Sequence, residues 1–292
     1  MRDFEYESPG TVAEAVGLLW KHRGIARSMA GGTDLIDQVR TGLLAPDLLV
    51  DLKKIRELHV LELSSAGLRV GAAVPCSTIY ADCQIECAYA ALTDSCRLIG
   101  GIQIQNRATV GGNLCNASPA ADSVPSLIAL GAMCVVAGPE GTREIPAQDF
   151  CTGPRRNALQ AGEMLVELRF PRCPPHRGSH YRRFTPRNEM DIAVVGAGAS
   201  VVLDEHGEHF VSARIGLGAV APTPIFAEEA SDLLAGQLVG DAAISQASEA
   251  ARAAARPIDD MRGTREFRLQ LVQVLADRAL RTAVARARET RP

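Results

Sequence analysis

Aromatic side chains are scarce in this sequence: they make up 4% of its 292 residues, with a single tryptophan. A stacking platform for nucleic-acid bases needs several rings on one face, so that function is set aside. Excess charge is missing too. Thirty-one basic residues stand against 34 acidic ones for a net charge of −3, without the basic footprint of a nucleic-acid binder. The arginines near 155, 172, 182 and 278–288 are spread among acids and read as solvated faces. No long apolar run is present: the longest small-apolar stretch, AVVGAGASVVL (193–203), is too short to cross a bilayer. The first ten residues, MRDFEYESPG, hold no apolar segment of the kind a secretory leader needs. The eight cysteines lack a framework. Cys76, Cys83, Cys87 and Cys96 come nearest to a cluster, but their gaps match neither zinc nor ferredoxin spacing. The expectation is buried free thiols in a reducing, cytoplasmic compartment, with no metal held by this chain.

What is present reads as an α+β chain of about two domains. Thr11 followed by Glu14 makes a capping box, and Val12, Val16 and Leu19 recur at helical spacing behind it. IARSMA (25–30) reads as a strand, Gly31-Gly32 as a turn into a helix near Thr33, and DLLVDL (47–52) as a buried strand. This opening unit ends near residue 56. A second unit holds a strand at 68–74, a helix at 77–98, a glycine-rich stretch, a helix at 123–130 and strands at 132–137 and 164–170. PRCPPHRG (171–178) reads as a linker because of its prolines. HYRRFT, DIAVVGAGASVVLD and SARIGLGAV then read as three antiparallel strands, followed by helices at about 225–235, 241–254 and 262–288. The expected domains are 1–175, with subdomains of about 1–56 and 57–175, and 176–292.

Two glycine pairs carry the functional signal. MAGGTDLI (29–36) is a strand, two glycines and a helix start, where exposed N–H groups and the helix dipole suit an anionic phosphate. Alone it is weak, because many strand–helix turns need Gly-Gly for geometry. TVGGN (109–113) supplies a second pair with Thr109 and Asn113 beside it, and Asp122 follows nine residues later. Two donor loops suit the two phosphates of a dinucleotide, and a bare backbone leaves room for the cofactor to lie against it. The competing site, Gly196-x-Gly198, lacks a third glycine and runs into a strand rather than the helix a Rossmann fingerprint needs, so it reads as strand packing. The 31–35 stretch lacks the Lys-Ser/Thr of a Walker A loop. No catalytic triad is visible; His59, His176, His180, His206 and His209 fall in expected loops or strand ends, and Asp82 and Asp94 on a solvated helix face.

The motifs AGGTDL, RATVGGNLCNASPAAD, DFCTGP, EMLVELRFP, RNEMDIAVVGAGA and PIDDMRGTREFR, in that order, resemble the FAD-binding subunit of the molybdenum hydroxylases, a family that includes xanthine and carbon monoxide dehydrogenases. The resemblance spans essentially the whole chain. It implies a p-cresol methylhydroxylase-type FAD-binding fold of two subdomains, plus a C-terminal domain with a three-stranded antiparallel sheet and helices. It implies that Met29, Ala30, Gly31, Gly32, Thr33 and Asp34 wrap the FAD pyrophosphate. Thr109, Val110, Gly111, Gly112 and Asn113 would approach flavin and phosphates, and Asp122 a ribose or ribityl hydroxyl. Ile99 would pack on the adenine, Leu165 would offer a backbone contact, and Arg183 would stand where relatives carry a cation near the isoalloxazine. Cys115 runs straight into Asn116, without the iron–sulfur insertion of the benzoyl-CoA-type reductases. The implied partners are a large subunit holding the molybdenum cofactor, a small subunit with [2Fe–2S] clusters and an external electron acceptor, in a dimer of heterotrimers. A self-sufficient FAD oxidase and a flavin-free structural subunit are the competing readings.

Overall fold

Thr11 caps the first helix, Val12–Lys21, as the capping box requires: its side chain accepts the Glu14 N–H at 3.2 Å, and the Glu14 carboxylate accepts the Gly10 N–H at 2.8 Å. The computed structural model describes residues 2–289. Met1 and residues 290–292, the outer ends of the two expected domains, lie outside the described residues. Behind the first helix stands a parallel three-stranded sheet in the order Glu5–Glu7, Leu48–Asp51, Ala26–Met29. All four residues of the central strand are buried, which is why it reads as a continuous apolar run rather than an alternation. Ala15, Val16 and Leu19 of the helix share a core with Leu48 and Val50, and that core also takes in Ala73, Ala137 and Met164 of the next unit. The two units are thus welded along one edge.

The second unit is a five-stranded antiparallel sheet in the order Leu61–Ser64, Gly67–Gly71, Met164–Pro171, Met133–Gly138, Gly141–Pro146. The single helix expected over 77–98 is three: Cys76–Ala81, Cys83–Ala88 and Ala90–Leu98. Asp82 breaks the first junction by taking an extended conformation, its carboxylate capping the N–H groups of Gln84 and Ile85 at 2.9 and 3.1 Å. Asp94 is not solvated as expected. Its carboxylate holds His180 Nδ1 at 2.6 Å and the Arg286 guanidinium at 2.6 Å, so His180 is a partly buried hydrogen-bond partner and not a surface residue.

The third unit carries the three expected antiparallel strands, Arg177–Phe184, Val195–Leu203 and Phe210–Gly218, extended by a two-residue fourth, Ile225–Phe226. Only residues 172–176 separate it from the preceding sheet, so the linker is shorter than the prolines suggested. The long helix Arg265–Glu289 lies across this sheet, and Gly178 permits the approach, since a Cβ there would stand 1.9 Å from the Ala283 carbonyl oxygen. Gly198 and Gly216 do the same on the other face. Cβ atoms there would meet the Pro125 carbonyl at 2.7 and 2.3 Å, seating helix Ser123–Leu130 of the second unit against the sheet. The Gly196-x-Gly198 pair is therefore a packing device. Among the described residues, no helix is long and apolar enough to cross a membrane.

Candidate functional site

The two glycine pairs meet because their backbones cross. Gly31 follows strand Ala26–Met29, and a Cβ on it would fall 1.9 Å from the Arg107 carbonyl oxygen. Gly32 then takes φ +76, a region costly for other residues, and helix Leu35–Arg40 begins three residues later. On the other side, Thr109 is extended and its hydroxyl accepts the Gly112 N–H at 2.9 Å, starting helix Val110–Cys115. The second pair is thus the first turn of a helix, not a loop ahead of one. A Cβ on Gly111 would meet the Ala72 carbonyl oxygen at 2.6 Å, whereas at Gly112 it would touch only Thr109 Oγ1, at 3.0 Å. This alters the reason for the bare backbone. At Gly31 and Gly111 the chain's own main chain excludes a side chain, whereas at Gly32 and Gly112 the nearest atoms are side-chain ones.

Between the two units lies a cleft of about 640 Å³, within the range of small-molecule sites. It is lined by twelve of the residues singled out from sequence: Met29, Ala30, Gly31, Gly32, Thr33, Asp34, Ile99, Thr109, Gly111, Gly112, Asn113 and Leu165. The N–H groups of Gly31, Gly32 and Thr33 have no hydrogen-bond partner among the described residues, so the loop presents unspent donors. Asn113 Oδ1 is occupied by Ser123, from Oγ at 2.6 Å and N at 3.3 Å. Asp34 stands at the rim. Loss of water there pushes its carboxyl above the usual range, Asp37 adds to the rise and Arg155 opposes it. Asn116 bridges the two glycine elements, donating to Asp34 Oδ2 at 3.0 Å and accepting from Gln38 Nε2 at 3.1 Å.

Val110, Asp122 and Arg183 do not line the cleft. Val110 is 1% exposed in the core, on the buried side of its helix with Leu114. Asp122 and Arg183 are turned to each other: Asp122 Oδ2 accepts from the Arg183 guanidinium at 2.5 Å, and Oδ1 accepts the Tyr181 hydroxyl at 2.8 Å. Burial pushes the Asp122 carboxyl up to about 6, against the opposing pull of Arg183 and Tyr181. Tyr181 and Arg183 share one face of strand Arg177–Phe184, so this cluster ties the C-terminal sheet to the start of helix Ser123–Leu130.

Sequence reasoning missed Gln38, Asn116 and Arg155, which line the same cleft. Arg155, taken as part of a solvated face, sits at φ +57 with its N–H on the Ala117 carbonyl at 2.9 Å. The hairpin Cys151–Gly153 with Arg156–Asn157 holds it there, and Asn157 Nδ2 donates to the Cys115 carbonyl at 2.7 Å. The only local signal was the TGPRRN turn itself. Cys115 lines the cleft, but burial, with Cys151 nearby, pushes its thiol up to about 12, which keeps it protonated and unreactive.

Residues 2–173 match the FAD binding domain found in molybdopterin dehydrogenases, and residues 179–283 match the CO dehydrogenase flavoprotein C-terminal domain. The chain is 35% identical to the carbon monoxide dehydrogenase medium chain of Afipia carboxidovorans, over 98% of both chains. It is 32% identical to the xanthine dehydrogenase FAD-binding subunit of Escherichia coli, again over 98% of both. Its fold superposes on a chain of reconstituted CO dehydrogenase from Oligotropha carboxidovorans with a TM-score of 0.93 at 33% identity, covering 98% of this chain and 99% of that one. A chain of quinoline 2-oxidoreductase from Pseudomonas putida 86 gives 0.89 at 30% identity, over 98% of each.

Proposed function

The chain belongs to the FAD-binding subunits of the molybdenum hydroxylases, and from that premise we propose that it carries electrons from [2Fe–2S] clusters of a partner subunit to an external acceptor. The single observation that supports this best is the crossing of the two glycine elements, which leaves the Gly31, Gly32 and Thr33 N–H groups unspent on the wall of a cleft. Such donors, backed by a helix start, suit a pyrophosphate. A cleft built this way fits the dinucleotide half of FAD. The twelve lining residues would hold the cofactor, with Val110 packing beneath them and the Asp122–Arg183 pair fixing the C-terminal sheet behind.

Bound FAD would supply reversible one- and two-electron transfer, which is the cofactor's own chemistry. The chain's part is to place and shelter it. Gly31 to Thr33 would donate to phosphate oxygens, Ile99 and Leu165 would give apolar walls, and Asn116 would lock the first glycine element to the second through Asp34 and Gln38. Hydroxylation of the substrate would belong to a molybdenum-cofactor subunit, and the complex would be a cytoplasmic dimer of heterotrimers. Within the chain, we propose residues 1–175 as the FAD-binding domain, in subdomains of about 1–56 and 57–175, and 176–292 as the C-terminal domain.

Purification of the native complex tests this directly. One FAD per chain, iron and molybdenum in the accompanying subunits, and flavin reduction that requires those subunits are expected. Flavin reduction by substrate in this chain alone would overturn the proposal.

A further inference from the structure

Three arginines line the cleft, Arg23, Arg27 and Arg155. Arg23 lies over the Trp20 ring and donates to the Trp20 carbonyl, and Arg27 donates to the carbonyls of Gly24 and Ala26. The Arg155 guanidinium has neither hydrogen bond nor ion pair among the described residues. A short series of bonds places this residue against the first glycine turn. Its N–H donates to the Ala117 carbonyl at 2.9 Å, and Asn157 Nδ2 of the same hairpin donates to the Cys115 carbonyl at 2.7 Å. Asn116, between those two acceptors, donates to Asp34 Oδ2 at 3.0 Å. The hairpin is therefore tied to the second glycine element at the point where that element is tied to the first, and the Arg155 charge acts on the Asp34 carboxylate. Arg155 keeps φ +57 there, and a non-glycine residue held in that region by its surroundings marks a place worth testing for function.

We propose that Arg155 is a second hold on the cofactor's pyrophosphate, supplied by the hairpin to the same stretch of cleft as the Gly31 to Thr33 N–H groups. This rests on the FAD reading above. The three N–H groups are unspent donors, but they bring no full positive charge to two phosphates. Asp34, at the end of the same turn, adds a negative charge of its own. A guanidinium offsets both, because its planar fork donates two parallel N–H bonds to neighbouring oxygens and is always charged. The fork of Arg155 is uncommitted, and the carboxylate its charge acts on belongs to the turn the phosphates would occupy. Arg156, one residue along, is exposed and outside the cleft lining, so the same charge at that position has no place in the site.

The test is the FAD dissociation constant of the full chain, read from flavin fluorescence, for wild type, Arg155→Gln, Arg155→Lys and Arg156→Gln, with the flavin midpoint potential of each taken at saturating FAD. Arg155→Gln is expected to weaken FAD at least tenfold, through loss of a charge-assisted pair. Arg155→Lys, which keeps the charge and loses the fork, should fall between the two, and Arg156→Gln should bind like wild type. A phosphate has the same charge whether the flavin is oxidised or reduced, so the potential should stay at its wild-type value throughout. Wild-type affinity in Arg155→Gln overturns the proposal. So does equal weakening in Arg156→Gln, which would make the effect one of net charge, or a lysine variant no tighter than the glutamine one. A potential that moves in Arg155→Gln also overturns it, since the guanidinium would then act on the ring. A wild type that binds no FAD removes the FAD reading itself, which separates the two failures.

Discussion

Replacing Asp122 with asparagine should abolish a pH dependence that follows from its burial. The carboxyl is raised from its ordinary 3.8 to about 6, with desolvation the largest cause and the Arg183 charge and Tyr181 hydrogen bond opposing it. An acid with a raised folded pKa keeps its proton longer in the folded state than in the unfolded one. Its contribution to stability is therefore largest at low pH and is lost as pH climbs from about 4 to 6. At 1.36 kcal/mol per unit the whole swing is about 3 kcal/mol, of which about 2 kcal/mol falls between roughly pH 4 and 7. Asparagine keeps the shape but cannot ionise, and it leaves Arg183 beside a neutral acceptor, a cost independent of pH over that range. Urea unfolding of the full chain, followed by circular dichroism at a series of pH values, should show the wild type losing about 2 kcal/mol against Asp122→Asn as pH rises. A constant difference, or a wild type that gains on the variant, would refute the reasoning and make the Arg183 pairing stronger than the desolvation.

Asp94 should behave with the opposite sign. Burial alone would raise it, but hydrogen bonds from His180 and Arg286 hold it below its ordinary range, so the stability it adds is lost as pH falls through that range; Asp94→Asn should cost about 1.5–3 kcal/mol at neutral pH by replacing a charge-assisted acceptor with a neutral one while Arg286 keeps the Ser179 carbonyl, and a neutral effect in thermal unfolding would refute this. Gly31→Ala should destabilise the chain by the upper end of about 1–3 kcal/mol and remove FAD, because the new Cβ meets the Arg107 main chain at 1.9 Å; a stable, flavin-loaded variant would show that the two backbones separate freely. Gly112→Val should fold, since Gly112 faces only Thr109 Oγ1, yet lose flavin, whereas Gly111→Val should weaken the fold against Ala72; flavin content and melting temperature of the pair decide it. Acid precipitation should leave a colourless pellet, because the protonated Cys115 thiol is a poor candidate for a covalent bond; yellow protein would contradict non-covalent binding.

Much of this architecture was legible from local patterns. The capping box at Thr11 and Glu14, the buried run at 48–51 and the strand–Gly-Gly–helix order at 29–36 each encode their element within a few residues. The helix at 241–254 was legible in the same way. The break inside 77–98 has a signal in Asp82, a residue type favoured at helix starts, but an acid inside a helical stretch is as often on its solvated face, and only the fold shows its carboxylate capping the next helix. The motif order, met in full along one chain, carried the family and the cofactor.

What sequence alone determined is where backbone had to be bare and which residues could approach a dinucleotide. Tertiary structure decided why. The demand for glycine at 31 and 111 comes from main chain at 107 and 72, contacts between residues distant along the chain that no local pattern records. It also decided which charges are free. Asp122, Arg155 and Arg183 look equally available in the sequence, but burial and pairing are properties of neighbours brought in by folding. Strand Arg177–Phe184 delivers Arg183 to Asp122, while a left-handed turn in a small hairpin leaves Arg155 on the rim of the cleft.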